Sequence, residues 1–196
     1  MASSLNASTS GGGGVIVTSD SSGNLNIQSG GSTVVAVTAT GASVTGTLAV
    51  SGGVTTPLSY VRVNTANGYG STNTVIRRFT NVVNSAGVDV TYADSATLGA
   101  TFTINTNGVY SVSYTDQFTA AGNTGLSINS TQLTTSIAAI TLTDILSFSL
   151  STSSGYTATA VATFYAAATS IVRPHTQGYA TGGTPTACQF TIARVQ

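Results

Sequence analysis

Few side chains in this sequence of 196 residues could carry out catalysis. The chain has five aspartates, five arginines, one histidine and one cysteine, with no glutamate and no lysine. A serine hydrolase would need His175 as its base, but no Gly-x-Ser-x-Gly turn is present to hold a nucleophile. We therefore expect His175 to be a structural or solvent-facing residue and not a general base.

Paired carboxylates could cleave a glycosidic bond, and Asp89 and Asp94 are the two aspartates nearest to each other in sequence. The segment between them, Val90-Thr91-Tyr92, is strand-like, and a separation of five residues places the two carboxylates on opposite sides of a pleat. We expect no enzymatic activity. A glycan hydrolase whose carboxylates come from different strands or subunits is an alternative, and turnover of a polysaccharide would reveal it.

No arrangement of residues predicts a metal, a cofactor or a nucleic-acid ligand. Cys188 is the only cysteine, no Asp-rich calcium loop occurs, and Gly11–Gly14 follows no strand and lacks the lysine of a phosphate loop. Without net positive charge the chain is not expected to bind nucleic acid, and no apolar run reaches the roughly 20 residues of a membrane span. Cys188 is expected to be a small buried hydrophobe.

Tyrosines supply the larger aromatic contacts, because the chain has eight tyrosines and no tryptophan. Tyr69 and Tyr179 lie in short segments that contain glycine, Asn67–Gly70 and Gln177–Ala180. Exposed tyrosines of this kind contact sugars or partner proteins. Together with His175 they are the candidate residues for contact with a partner or a glycan.

Charge is sparse and balanced, with five acidic and five basic side chains and no net charge. A typical soluble domain is about a quarter charged, and net charge normally keeps copies of a protein apart. The composition therefore predicts a protein that sits against other protein, in an oligomer or a larger particle. The one charge cluster, Arg77-Arg78, is expected to pair with Asp89 or Asp94 on a neighbouring strand.

Composition also predicts an all-β fold, since Thr, Val, Ser, Ala, Gly and Asn dominate and nothing indicates a helix. The 41% hydrophobic content and the low net charge argue against disorder. Residues 1–14 form a Ser/Ala/Gly arm suited to docking. Residues 15–57 hold short β segments and a Gly/Pro hinge, and residues 58–196 form an antiparallel jelly-roll sandwich.

The β segments of residues 15–57 are too short to make a stable sheet alone. We expect them to become stable when several chains wind together or when they lie on the sheet of a partner. The alternative is a subdomain that packs on the jelly roll of its own chain. The candidate docking residues are the apolar ones of this N-terminal region: Leu5, Val15, Ile16, Val17, Leu25 and Ile27.

About ten strands are predicted in the jelly-roll region. The cleanest pattern places Tyr110, Val112 and Tyr114 on one face of a strand, and Asn107-Gly108 before it is predicted to form a tight hairpin turn. The predicted strands are Leu58–Asn64, Thr74–Val83, Val88–Tyr92, Thr101–Asn105, Val109–Phe118, Gly125–Asn129, Ile137–Leu150, Thr157–Phe164, Ser170–His175 and Ala187–Val195.

Several segments resemble C1q/TNF-like jelly rolls in both their order and their spacing. In that family a Phe strand precedes a Gly-x-Tyr strand, and the last strand has the form FxIxrl. One departure is that the usual Gly-Asp before the "virpht" strand is Thr169-Ser170 here, so no ion site is expected there. The resemblance implies a homotrimer of jelly rolls around a threefold axis. The matching segments are Gly87–Ser95, Gly99–Ile104, Asn107–Tyr114, Gly125–Asn129, Ala168–Thr176 and Phe190–Val195.

The "irpht" version of the strand and the N-terminal residues Val15–Thr38 are similar to virion proteins of tailed bacteriophages. This resemblance implies a non-enzymatic structural protein on the surface of a virion, assembled in the host cytoplasm. It would be a trimeric capsid decoration or a short head or tail fibre, with the major capsid protein or a tail protein as its docking partner. The alternative is a tail-fibre adhesin that binds glycan on the host surface.

Overall fold

The computed structural model describes residues 24–48, 59–65, 70–151, 157–179 and 187–196, and the chain divides into two compact units, Met1–Thr55 and Thr56–Gln196. No helix in these described ranges is long and apolar enough to cross a membrane. Two 3-10 turns lie at Ile137–Ala139 and Leu142–Asp144. The strands are β1 (Leu25–Ser29), β2 (Ser32–Thr38), β3 (Gly41–Val44), β4 (Tyr60–Asn64), β5 (Asn81–Ala86), β6 (Val90–Ala93), β7 (Thr101–Ile104), β8 (Gly108–Ile128), β9 (Ile145–Ser151), β10 (Thr157–Ala166), β11 (Ile171–Tyr179) and β12 (Gln189–Arg194).

The first unit contains a three-stranded antiparallel meander in which β2 pairs with both β1 and β3. Residues that pair across strands project to the same face of a sheet. One face of the meander therefore carries two rows of aliphatic side chains: Leu25, Val37 and Ala42, and Ile27, Val35 and Val44. We call this the meander face. None of residues 24–48 is buried, so the described part of this unit has no core of its own.

The second unit is a sandwich of two five-stranded antiparallel sheets that share one long strand. The first half of β8 pairs with β12 and β10, and its second half pairs with β11 and β9. The first sheet therefore has the order β5-β4-β12-β8-β10, and the second has the order β6-β7-β11-β8-β9. The all-β jelly-roll sandwich expected from the sequence is confirmed.

The strand β8 runs without a break for 21 residues, although the sequence predicts two strands, Val109–Phe118 and Gly125–Asn129. Its partners change near Phe118, where the chain passes from one sheet to the other. Gly122 permits the close approach of β8 and β11 beyond that point, because a Cβ there would collide with the carbonyl oxygen of Gln177.

The core lies between the two sheets and is rich in aromatic rings. The alternation predicted for β8 is confirmed, since Tyr110, Val112 and Tyr114 are all buried. Phe102 of the second sheet stacks on Phe190 of the first, with ring centroids 3.9 Å apart and planes 14° from parallel. Aromatic pairs contribute about 0.5–1.5 kcal/mol beyond the burial of their area, so this pair helps to fix the two sheets to each other.

The prediction of one strand over Thr74–Val83 is wrong. The strand β5 begins only at Asn81, and the residues before it form isolated β-bridges at Ile76 and Arg77. The amide of Arg77 donates to the carbonyl of Pro174 in β11 at 2.8 Å, after which the chain continues into β5 of the other sheet. Ile76, Arg77 and Phe79 are all fully buried. A segment that passes between two sheets is covered on both sides, so its sequence looks like a strand.

Two further local predictions are wrong. The predicted strand Ile137–Leu150 begins as two 3-10 turns, and β9 starts only at Ile145; Ile137 in the first turn and Ile140 between the turns are buried, which gives this segment its strand-like apolar pattern. Asn107-Gly108 is not a hairpin turn: β7 pairs with β6 and β11, whereas the strand that begins at Gly108 pairs first with β10 and β12. The dipeptide therefore connects the two sheets.

Candidate functional site

A cluster of polar side chains is fully buried between the sheets. Arg77 Nη2 lies 3.2 Å from Asp116 Oδ1 and also donates to Cys188 Sγ at 3.2 Å. The Cys188 thiol donates to Asp116 Oδ1 at 3.2 Å, and the Tyr114 hydroxyl donates to Asp116 Oδ2 at 2.8 Å. The backbone amide of Gln117 also donates to this carboxylate, at 2.9 Å. We call these residues the buried cluster.

The electrostatics of the buried cluster keep the Arg77 guanidinium charged and the Cys188 thiol neutral. Burial, the largest single cause, opposes the charge on Arg77, but the carboxylate of Asp116 together with the neighbouring Tyr114 and Cys188 outweighs it, and the pKa of Arg77 is raised. Burial, followed by the negative charge of Asp116, raises the pKa of Cys188 and the pKa of Tyr114. A buried, protonated thiol is neither a nucleophile nor a metal ligand. No group of three metal-ligating side chains occurs among the described residues.

The buried cluster corrects two predictions about individual residues. Cys188 is buried as expected, but its thiol is a hydrogen-bonding member of the cluster and not merely a small hydrophobe. The expected pairing with Asp94 is confirmed for Arg78, which binds both carboxylate oxygens at 2.6–3.2 Å. It is wrong for Arg77, because consecutive residues point in opposite directions and Arg77 turns inward to Asp116.

His175 forms a second buried polar contact, since its Nε2 lies 2.8 Å from Ser127 Oγ on the neighbouring strand. The ring is 1% exposed and lies inside β11, not at a strand end, so it cannot serve as a surface contact for a glycan or a partner. Burial lowers the pKa of His175 to about 4; the nearby backbone of Thr135 opposes this shift and the charge of Arg173 reinforces it. Ser127 is itself fully buried, so in this structure the pair has no access to a substrate.

The structure does not describe the side chains of the two tyrosines predicted to contact a partner or a glycan. Tyr69 lies outside the described residues, and Tyr179 is placed by its backbone in β11, opposite Phe118, while its side chain is not described. Leu25 and Ile27 belong to β1. The remaining docking candidates lie outside the described residues: Leu5, Val15, Ile16 and Val17.

The two sheets of the second unit differ in how their outer faces are covered. A segment of the same chain covers part of the second sheet, where Ile137 packs so closely that a Cβ at Gly125 would collide with it. Within the described residues, no such segment covers the first sheet. Val161 and Tyr165 of its β10 are 61% and 66% exposed.

We call this bare surface the first-sheet outer face. Three rows of side chains cross four of the five strands of this sheet, β4, β12, β8 and β10, and Arg62 is their only charged member. Its guanidinium donates to Gln189 Oε1 on the next strand at 2.7 Å. The rows are Tyr60, Ala193, Ser111 and Thr163; Arg62, Thr191, Ser113 and Val161; and Asn64, Gln189, Thr115 and Thr159.

A cleft of about 430 Å³ opens between the two edge strands β5 and β6. Its floor includes Val61 and Val90, which are buried, and its rim includes the exposed Val88. Asn105 donates to the Val88 carbonyl at 2.6 Å and to the Thr91 hydroxyl at 2.8 Å. The cleft is lined by aliphatic and uncharged polar residues and by Tyr92, whose hydroxyl donates to the Phe79 carbonyl, so it suits a neutral ligand.

No protein-family model matches the chain, and no curated protein matches it in sequence. Two crystal structures of murine APRIL, at pH 8.5 and pH 8.0, match with TM-scores of 0.52 and 0.51. Each is 10% identical to this chain and covers 70% of it and 99% of the APRIL chain. A structure of pika GITRL matches at 11% identity with a TM-score of 0.42 and covers 72% of this chain and 98% of the GITRL chain.

The fold and the comparison together define the class of protein to which the second unit is similar. Its two five-stranded sheets form a C1q/TNF-like jelly roll, as the sequence resemblance implies. At 10% identity the likeness to APRIL concerns the fold alone.

Proposed function

We propose that this chain is a non-enzymatic structural protein of a tailed-bacteriophage virion, a homotrimeric capsid decoration or short fibre. Its N-terminal region docks on the major capsid protein or a tail protein, and its jelly roll projects outward from the particle surface. The observation that carries the proposal is the first-sheet outer face, a bare sheet surface with one charged residue in three rows. The virion setting rests on the sequence resemblance.

The distribution of charge supports self-association. Within the part of the chain that the structure describes, the ion pairs Arg77–Asp116, Arg78–Asp94 and Arg194–Asp89 join six of the ten charged side chains. Little charge is left to repel a second copy or to keep the first-sheet outer face hydrated. A sheet face of threonine, serine, valine and tyrosine packs against an identical face without leaving a charge buried and unpaired.

Sedimentation equilibrium of the full chain tests self-association. We expect the wild type to be a trimer at micromolar concentration and Val161→Asp to shift it towards monomer, because the new carboxylate would lie within the interface. Leu142→Asp is the control, since Leu142 is also highly exposed but lies on the segment that covers the second sheet. A wild type that stays monomeric and fully folded would refute the proposed trimer.

A receptor-binding adhesin is the second candidate, and the cleft between β5 and β6 is the observation that favours it. A cleft of about 430 Å³ with an aliphatic floor and a hydroxyl- and amide-bearing rim has the size and chemistry to hold a neutral sugar. Deletion of residues 1–53 separates the two candidates. A decoration protein loses its binding to virus particles after this deletion, whereas an adhesin still binds host cells.

A further inference from the structure

The meander face is an aliphatic surface that the described residues of the first unit leave uncovered. All six of its side chains are aliphatic, and Ile27 is 51% exposed. The opposite face carries the row Asn26, Ala36 and Ser43, flanked in β2 by Val34 and Thr38, so it is more polar than the meander face. The meander is therefore amphipathic, and a sheet with one aliphatic face needs another surface to cover that face.

The chemistry of the meander face indicates a permanent partner. Residues 24–48 contain no charged side chain, and the two rows of the meander face contain no hydrogen-bonding side chain; the polar pair Gln28 and Thr33 lies beyond their end on the same side of the sheet. Interfaces that form and separate are only about 57% apolar, whereas obligate interfaces between subunits resemble a domain core cut in half. A wholly aliphatic face matches the obligate kind.

The size of the meander face decides which partner can cover it. Three strands about 4.8 Å apart and three residues long give a face on the order of 200 Å². A stable interface buries roughly 800 Å² on each partner, so the face is too small to capture a separate protein from dilute solution. It can bind only a surface that is already held close by, where tethering gives an effective concentration in the roughly millimolar range.

We propose that the meander face packs against the same face of other copies of this chain. The inference rests on the self-association proposed above, because copies joined through the first-sheet outer face bring their own meanders together. The aliphatic rows then form a small shared core. Leu25 and Ile27 then belong to this shared core and not to the docking surface. The remaining candidates for docking on the virion are Leu5, Val15, Ile16 and Val17.

Tryptophan fluorescence tests the burial of the meander face, because the chain has no tryptophan and one introduced residue is a unique reporter. Val37 and Thr38 are adjacent in β2 and point to opposite faces. We expect the full-length Val37→Trp variant to emit at shorter wavelength and to resist acrylamide quenching, with at least a threefold lower quenching constant than Thr38→Trp. Equal emission and quenching of the two variants would overturn the inference.

A second pair of variants tests the energetic role of the meander face. Val35 lies in the middle of an aliphatic row, and Ala36 is the next residue of the same strand on the opposite face. We expect Val35→Asp to raise the dissociation constant of the full-length oligomer at least tenfold and Ala36→Asp to change it less than twofold. Equal effects of the two substitutions would contradict the inference even if one variant folded poorly, since the tryptophan pair reports independently.

The outcomes separate this inference from the proposed function. A wild type that is monomeric at all concentrations refutes both. If the wild type is an oligomer and the tryptophan of Val37→Trp is as accessible as that of Thr38→Trp, only the packing of the meander faces is refuted. In a third outcome the wild type is an oligomer, but the tryptophan of Val37→Trp becomes protected only after virus particles are added. This result would show that a shell protein covers the meander face, and it would also overturn the inference.

Discussion

The buried histidine makes the acid stability of the protein a sharp test of the structure. In the unfolded chain His175 has the ordinary pKa of 6.5, whereas in the folded chain burial lowers that pKa to about 4. As the pH falls below 6.5, the unfolded state therefore takes up a proton that the folded state does not bind. The contribution of His175 to stability is complete above about pH 6.5 and is lost as the pH falls towards 4.

The size of this effect follows from the two pKa values. Each pH unit between them changes the free energy of unfolding by about 1.4 kcal/mol for one proton. Between pH 7.5 and pH 4.5 the loss is about 2.5 kcal/mol for each chain. Few other groups titrate in this window, because the chain has one histidine and no glutamate and free aspartates titrate near 3.9.

The assay is equilibrium unfolding in urea at pH 7.5, 6.5, 5.5 and 4.5, followed by circular dichroism at one fixed protein concentration. His175→Gln removes the titrating ring and retains a group that can hydrogen-bond to Ser127, so we expect its stability to be nearly flat over this range. The difference in stability between His175→Gln and the wild type at pH 7.5 measures any loss of packing that the substitution itself causes. If the wild type and His175→Gln lost stability in parallel, the reasoning from burial would be refuted.

Three further predictions concern other buried or strained positions. Asp116→Asn should destabilise the fold by about 3–5 kcal/mol in thermal and urea unfolding, because Arg77 would be left buried without its carboxylate, and the added change Arg77→Met should restore part of the loss. The thiol of Cys188 should react with a thiol reagent only as fast as the protein unfolds, since burial raises its pKa; rapid reaction of the native protein would contradict this expectation. Thr169→Gly should stabilise the fold by about 0.5–1 kcal/mol, because Thr169 has a φ of 73°, a left-handed conformation that glycine adopts without strain; a lower midpoint in urea would count against it.

The sequence predicts the parts of the fold that depend on local alternation. In β8 the residues Tyr110, Val112 and Tyr114 alternate with polar ones, and they form one wall of the core. The same alternation, continued for one more step, places Asp116 on the inward face. A buried carboxylate needs a cation, so the sequence held a signal for the buried cluster, although not the identity of Arg77 as its partner.

The remaining site residues could not be predicted, because they depend on contacts between distant parts of the chain. Arg77 and Cys188 are 111 residues apart, and Ser127 and His175 are 48 residues apart. Pairings of this kind follow from the order of strands in the sheets, which no local pattern specifies. The family resemblance is the one sequence signal that bears on the turn before β11. In that family a glycine stands at the position where Thr169 adopts a left-handed conformation.

The low charge content and the bare sheet face have a common physical explanation. The second sheet is covered in part by a segment of its own chain, so its outer face needs no partner there. The first sheet has a face of small hydroxyl, aliphatic and tyrosine side chains, and Arg62 is the only charge in its three rows. A monomer selected for solubility would carry interspersed charges on such a face. Their scarcity here is better explained by a surface that is covered when the protein is assembled.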